Sequence, residues 1–202
     1  MMANLPTAQP RSTPPGVRAL LAAFALLLCS PAWSAELATI LAATAVEPPA
    51  RIGFREERHN PLFREPLVLE GRLEYLDSGT LRKVVDKPFA EDILVADNRI
   101  TVTRDGKTRR VSLNRSRALK TILGAIEAVL AGNQERLEAS FRCEIATSAD
   151  GWSLQMTPLS TTVAKRLSLL EVSGNAQAVT SIRINLPNDE WHLMQIGDEL
   201  PR

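Results

Sequence analysis

Cysteine is scarce in this chain of 202 residues, with only Cys29 and Cys143 present. Cys29 lies in an apolar run near the start, so the body of the protein keeps one thiol and no internal disulfide; its stability must come from packing. Cys143 reads as a small buried hydrophobe. Neither sign of charge is in excess, with 24 Lys and Arg against 23 Asp and Glu. A near-neutral chain lacks the electrostatic footprint of a nucleic-acid binder. The two histidines, His59 and His192, lie far apart with no partner spacing. There is no G-x-S-x-G elbow and no P-loop, and the carboxylates are plentiful but unclustered. Glu56-Glu57-Arg58-His59 has the residue types of a metal site. On a strand, however, Glu57 and His59 share one face, Glu56 points to the other, and no third ligand is signalled. It reads as a solvated strand end. No catalytic group, cofactor or metal is expected.

A hydrophobic run long enough for a permanent membrane helix, about 20 residues, is also missing. The run from Ala19 to Cys29 is shorter, follows Arg11 and Arg18, and precedes Ser30-Pro31 and the small-residue segment Ala32-Trp33-Ser34-Ala35. This is the pattern of a secretory signal peptide. Leu26-Leu27-Leu28 before Cys29 are not the small residues a lipid-modified cysteine requires. The expected division is a signal peptide over 1–35, cleaved after Ser34 or Ala35, and one exported domain over 36–202.

What the chain does contain is turns. Residues 66–102 read as four short strands broken at Asp77-Ser78-Gly79, Asp86-Lys87-Pro88 and Asp97-Asn98. Leu67, Leu69, Gly71, Leu73 and Tyr75 alternate with Val68, Glu70, Arg72 and Glu74, the period of a strand with one buried face. Asp105-Gly106 and Asp150-Gly151 each predict a further hairpin. Later strands are read in FRCEIAT, WSLQMT, KRLSLLEV, AVTSIRINL and EWHLMQI, giving about ten in all. Trp152, Leu154 and Met156 share a face, opposite Ser153, Gln155 and Thr157.

Helical spacing appears in two places. Leu37, Ile40, Leu41 and Thr44 form one stripe, ended by Pro48-Pro49. Leu119, Ile122, Ile126 and Leu130 form a second, with Ser116 as N-cap and Gly132 just past the end. Asn133 caps a short third helix. Helices segregated from an antiparallel sheet define an α+β fold.

The order of several short motifs resembles the LolA-like family of periplasmic carriers of outer-membrane lipoproteins. Phe54-Arg55-Glu56 fits its F-x-Q/E element, and Gly71-Arg72-Leu73 fits its G-x-L. Pro88 with Ile93-Leu94-Val95-Ala96-Asp97-Asn98 fits a P-x4-I-L-V-x-D-G/N segment, and Trp152 to Pro158 fits its L-x-L-x-P-like strand end. The family's basic-Pro pair after G-x-L, associated with holding a lid shut, is replaced by Asp77-Ser78. Aromatic residues usual around the D-G turn are replaced by Arg99, Ile100 and Val102.

The resemblance implies a curved, incomplete antiparallel barrel whose concave apolar face is covered by helices. It implies a monomeric, non-enzymatic carrier in the periplasm. Such a carrier shields the acyl chains of a lipoprotein or lipid between an inner-membrane donor complex and an outer-membrane acceptor. A non-lipoprotein lipid such as an aryl-polyene conjugate is an alternative cargo, and an envelope scaffold that receives another protein is an alternative role. Leu67, Leu69, Leu73, Tyr75, Ile100, Val102, Trp152, Leu154 and Met156 are expected to line the cavity. Leu119, Ile122, Ile126 and Leu130 are expected on the lid. Gly124, mid-helix, costs about 1 kcal/mol of helix stability against Ala, which suits a moving element.

Overall fold

The structure is a computed structural model that describes residues 32–197, with side chains described from Ala35 onward. The expected signal peptide therefore falls mostly outside the described residues. No helix among the described residues is long and apolar enough to cross a membrane.

Helix α1, Ala32–Ala43, opens the described chain and leads to β1, Ala50–His59. The expected meander follows as β2 (Leu67–Asp77), β3 (Thr80–Lys87), β4 (Glu91–Ala96) and β5 (Arg99–Arg104). β6, Lys107–Ser112, closes the Asp105-Gly106 hairpin. The backbone supports the turn chemistry: Asp97, Asn98, Asp105 and Gly106 all have φ between 49° and 71°. Only residues tolerant of the left-handed region close two-residue hairpins of this kind.

A single 3₁₀ turn, Leu113–Arg115, then introduces α2 (Arg117–Leu130) and α3 (Gln134–Glu138). Ser116 caps α2 by accepting from Leu119 N, and Asn133 caps α3 by accepting from Arg136 N. Gly132 has φ of +66° and Ala131 is the C-cap of α2, as the sequence indicated. β7 (Phe141–Ser148) and β8 (Gly151–Pro158) form the Asp150-Gly151 hairpin. A one-turn helix, α4 (Thr161–Ala164), precedes β9 (Leu169–Gly174), β10 (Val179–Asn185) and β11 (Trp191–Ile196).

Two expectations change. The described residues hold eleven strands rather than about ten. The segment KRLSLLEV is not strand throughout: it starts beyond α4 and becomes strand only at Leu169. Buried Val163 and Leu167 anchor that turn to the core.

All eleven strands join one antiparallel sheet in the order β6-β5-β4-β3-β2-β1-β11-β10-β9-β8-β7. The first and last strands, β1 and β11, pair with each other in the middle of the sheet, so both edges, β6 and β7, come from the middle of the chain. The sheet curves without closing, an α+β half-barrel. Its main core lies between β7–β10 and the helices. There Leu37 and Leu41 of α1, Ala125, Ala128 and Val129 of α2, and Leu137 of α3 meet Phe141, Trp152, Leu154, Met156, Leu170 and Val172. A smaller core, Phe54, Leu69 and Val85, sits on β1–β3.

Two glycines are fixed by close approach. A Cβ on Gly71 would stand 2.0 Å from Val84 O, so the G-x-L glycine lets β3 pack tightly at a register shift. Gly174 lies opposite Trp152, where a Cβ would meet the indole at 2.6 Å. The indole N–H donates to Asn175 O at 2.8 Å.

Candidate functional site

Strand register decides which side chains share a face, because directly opposed residues in an antiparallel ladder point the same way. One row crosses seven strands: Ile145, Leu154, Val172, Ile182, Met194, Glu56 and Leu69 are successive partners. A neighbouring row runs Cys143, Met156, Leu170, Ile184, His192, Arg58 and Leu67. On the other half of the sheet, Leu73, Lys83, Ile93, Val102 and the exposed Arg109 form one row, and Tyr75, Leu81, Val95, Ile100 and Val111 another. All nine wall residues named from the sequence therefore lie on one face, the face that α2 covers.

Their surroundings differ. Trp152, Leu154 and Met156 are fully packed beneath the helices, in a part of the face already filled by protein. Leu69, Tyr75 and Ile100 are buried, Leu73 and Val102 are half-buried, and Leu67 is 42% exposed at the rim. The helices rest on β7 and β8. Over β3–β5, the inward residues Leu81, Ile93, Val95 and Val102 stay only half-buried.

The lid residues divide likewise. Ile122 packs on the main core with Ala118, but the fully buried positions of α2 are Ala125, Ala128 and Val129. Leu119, Ile126 and Leu130 are half-buried, as is Leu123. Small side chains thus face the sheet, and a row of larger apolar ones is left beside them. The β2–β3 turn reaches α2: a Cβ on Gly79 would lie 3.4 Å from Glu127 Oε1. Glu127 itself pairs with Arg136 of α3.

One feature contradicts the sequence reading. Glu56 and Arg58 are not a solvated strand end. Glu56 is 3% exposed and stands in the apolar row between Met194 and Leu69. Arg58 Nε donates to Glu56 Oε1 at 2.9 Å, and Lys83 Nζ donates to Oε2. Lys83 also lies 4.5 Å from the centroid of the Phe54 ring. His192 Nδ1 is 3.7 Å from Glu56 Oε1. On β1, Glu56 shares the face of Ile52 and Phe54; its charge argued against burial, and its partner Lys83 lies on another strand.

Burial pushes the Glu56 carboxyl up, but Lys83 and Arg58 together outweigh that and hold it below the ordinary glutamate value. Burial also lowers Lys83, against the pull of Glu56, and lowers His192, where Arg58 adds to the effect. Among the described residues no group of three or more His, Cys, Asp or Glu side chains could hold a metal ion. Half-buried Cys143 has its thiol pushed up to about 11 by burial and by Glu138.

The opposite, convex face is polar. Arg82 pairs there with Asp92 and Glu74, and Arg72 with Glu74 and Asp86, so Arg82 is committed to the outside of the sheet. His59 stacks on Trp191 at 5.3 Å between ring centroids. An open depression of about 460 Å³ is lined by Leu94, Ala96, Asp97, Arg99, Thr101 and Arg110. Leu94, Thr101 and Arg110 are mutual cross-strand partners in a row that alternates with the apolar wall. Leu62 and Phe63, in the β1–β2 loop, are 88% and 68% exposed.

An open antiparallel half-barrel with an apolar inner face, half covered by helices, defines the class. Within it, this chain belongs to the family described as outer membrane lipoprotein carrier protein LolA-like, which matches residues 29–188. No curated protein matches the chain in sequence. Similar solved structures include a LolA superfamily protein from Nitrosomonas europaea. It is 10% identical, with a TM-score of 0.46, covering 85% of this chain and 96% of that one. Another is the lipoprotein LppX from Mycobacterium tuberculosis, also 10% identical, with a TM-score of 0.45 and coverage of 86% and 98%.

Proposed function

We propose that this protein is a periplasmic carrier, exported by a cleaved signal peptide. It shields the acyl chains of a lipoprotein or lipid on its concave face during transport towards the outer membrane. The observation that carries this reading is the incompletely covered apolar wall over β3–β5. Leu81, Ile93, Val95 and Val102 alternate inward yet remain half-buried, beside the partly exposed larger residues of α2. A packed core would bury such positions; a carrier leaves them for its cargo. Each CH₂ transferred to such a surface gains about 0.8 kcal/mol, so a long acyl chain supplies on the order of 10 kcal/mol before its ordering cost. Membership of a carrier family also supports a binding role rather than catalysis. Transfer would need an inner-membrane donor and an outer-membrane acceptor, with the protein working as a monomer.

The test is titration of a fluorescent long-chain lipid into wild type, Val95→Glu and Gln155→Glu; the cross-strand partners of Val95 on this face, Leu81 and Ile100, are apolar. An unpaired carboxylate on the apolar wall costs several kcal/mol of cargo affinity, of which roughly 1–3 is expected in a partly open site. Val95→Glu should therefore weaken binding at least about tenfold, while Gln155→Glu, exposed on the convex face, should bind as wild type. Equal binding by all three folded proteins, or none by wild type, would reject the concave face as the lipid site. The second of these results would favour the scaffold role.

A further inference from the structure

The Glu56 cluster is costly where it stands. Six of the seven residues in its cross-sheet row are apolar, and a buried ion pair seldom repays its desolvation in stability. Its charges do not balance either. One carboxylate, Glu56, faces two cations, Arg58 and Lys83. Glu91 and Glu190 also act on Lys83 and His192 through space. However, Glu91 is directly opposite Arg104 on the same face, and Glu190, hydrogen-bonded by the neutral amide of Asn60, keeps its charge but is not in contact with Arg58 or Lys83 through any ion pair. Among the groups in direct contact, with His192 neutral, one positive charge is in excess.

The cluster is also oriented. The side chain of Glu56 is 4% exposed and that of Lys83 15%, whereas Arg58 is 33% and His192 31% exposed. The carboxylate forms the floor and the guanidinium the open side. Arg58 places Nε 2.9 Å and Nη2 3.4 Å from Glu56, which uses two of its five N–H donors. Beside it lies its cross-strand partner, the half-exposed rim residue Leu67; the apolar Leu69 and Met194 flank Glu56, and Phe54 lies against Lys83.

From this geometry, and resting on the carrier role above, we propose that Arg58, Lys83 and His192, held by Glu56, bind a single anionic head group on the acyl cargo. That group is a carboxylate or a phosphate, and its chain lies along the neighbouring apolar rows. A guanidinium matches the flat two-oxygen edge of either anion, and a charge-assisted bond in a partly dry site is stronger than its neutral counterpart. The cargo class is therefore an anionic lipid rather than a neutral glyceride or ester.

The experiment uses displacement of the neutral apolar fluorophore N-phenyl-1-naphthylamine from the whole mature protein. The competitors are palmitate, hexadecyl phosphate, methyl palmitate and inorganic phosphate. Palmitate and hexadecyl phosphate should displace the probe at concentrations about tenfold lower than methyl palmitate. Inorganic phosphate, having no chain, should not displace it. In Arg58→Met the ratio between palmitate and its ester should fall to about one, and Arg58→Lys should restore part of it. Equal displacement by acid and ester in wild type, or a preference that survives in Arg58→Met, overturns the anion site and leaves the carrier role standing. Displacement by inorganic phosphate alone also overturns it, because the site would then serve a free ion. Failure of wild type to take up the fluorophore rejects the carrier role, and the anion site with it. Should Arg58→Met not fold, the wild-type comparison and Arg58→Lys decide.

Discussion

Glu56 shows how much a single buried charge can demand of its neighbours. Removing one partner of such a pair strands the others, at a cost of about 3–5 kcal/mol. Glu56→Gln should therefore lower the unfolding free energy by roughly that amount, since it leaves Lys83 and Arg58 facing one another. Adding Lys83→Met should recover part of the loss, because one stranded cation is gone. Urea unfolding of the two single variants and the double variant measures this; strictly additive losses would mean that the groups do not interact.

His192 gives a pH signature. Its folded pKa is depressed, chiefly by burial and then by Arg58, with Lys83 also unfavourable and Glu56 and Glu190 opposing. Below the unfolded value of about 6.5 the unfolded chain binds the proton more readily. Stability is thus present above that pH and declines as pH falls through it. Glu56, also depressed, adds a loss of the same sign at lower pH, beginning near the ordinary glutamate value of 4.5. The melting temperature should fall between about pH 7 and 5.5, and His192→Gln should flatten that fall. An unchanged slope in the variant would remove His192 as its source. None of this was read from the sequence, where Glu56-Glu57-Arg58-His59 is an ordinary charged run. Glu56 has the strand parity of Phe54, but Lys83 and His192 meet it only through strand pairing.

At the scale of elements, the hairpins were the most legible part. Asp105-Gly106 and Asp97-Asn98 carry the backbone constraint in their own chemistry, so the local sequence suffices. The start of β9 was not legible. Thr161–Ala164 makes only one helical turn, and Ser160 makes no side-chain cap bond, so neither period nor capping announces it. The lid stripe was ambiguous for another reason. In RALKTILGAIEAVL almost every row contains an apolar residue, and periodicity cannot tell which row approaches closest. Packing chose the small ones, Ala125, Ala128 and Val129. The G-x-L glycine has a similarly physical origin. Gly71→Ala places a methyl 2.0 Å from Val84 O, so β2 and β3 must separate locally. The expected loss is about 1–3 kcal/mol, as for other overpacked sites. Hydrogen exchange should show faster amides on β3 than on β8; wild-type protection on β3 in the variant would show that the strands tolerate the group.

Over the whole molecule, the arrangement is asymmetric. The helices fill the concave face on β7–β10, while the half over β3–β5 keeps its apolar rows half-covered. Alternation in the sequence placed all nine wall residues on one face. It could not divide that face into a packed part and an uncovered part, because both read as the same inward leucines and valines. The helical cover is a property of tertiary packing. Trp152, Leu154 and Met156 accordingly belong to the protein's own core, and Leu73, Ile93, Val95 and Val102 to the half-covered surface that we propose receives cargo.

Native mass spectrometry of the protein, purified from the cells that make it without detergent, tests the proposed carrier role most directly. One long-chain lipid should be found per chain, released by organic solvent and missing from Val95→Glu purified in the same way. A lipid-free wild type, or equal lipid on a folded Val95→Glu, would contradict cargo binding on the concave face.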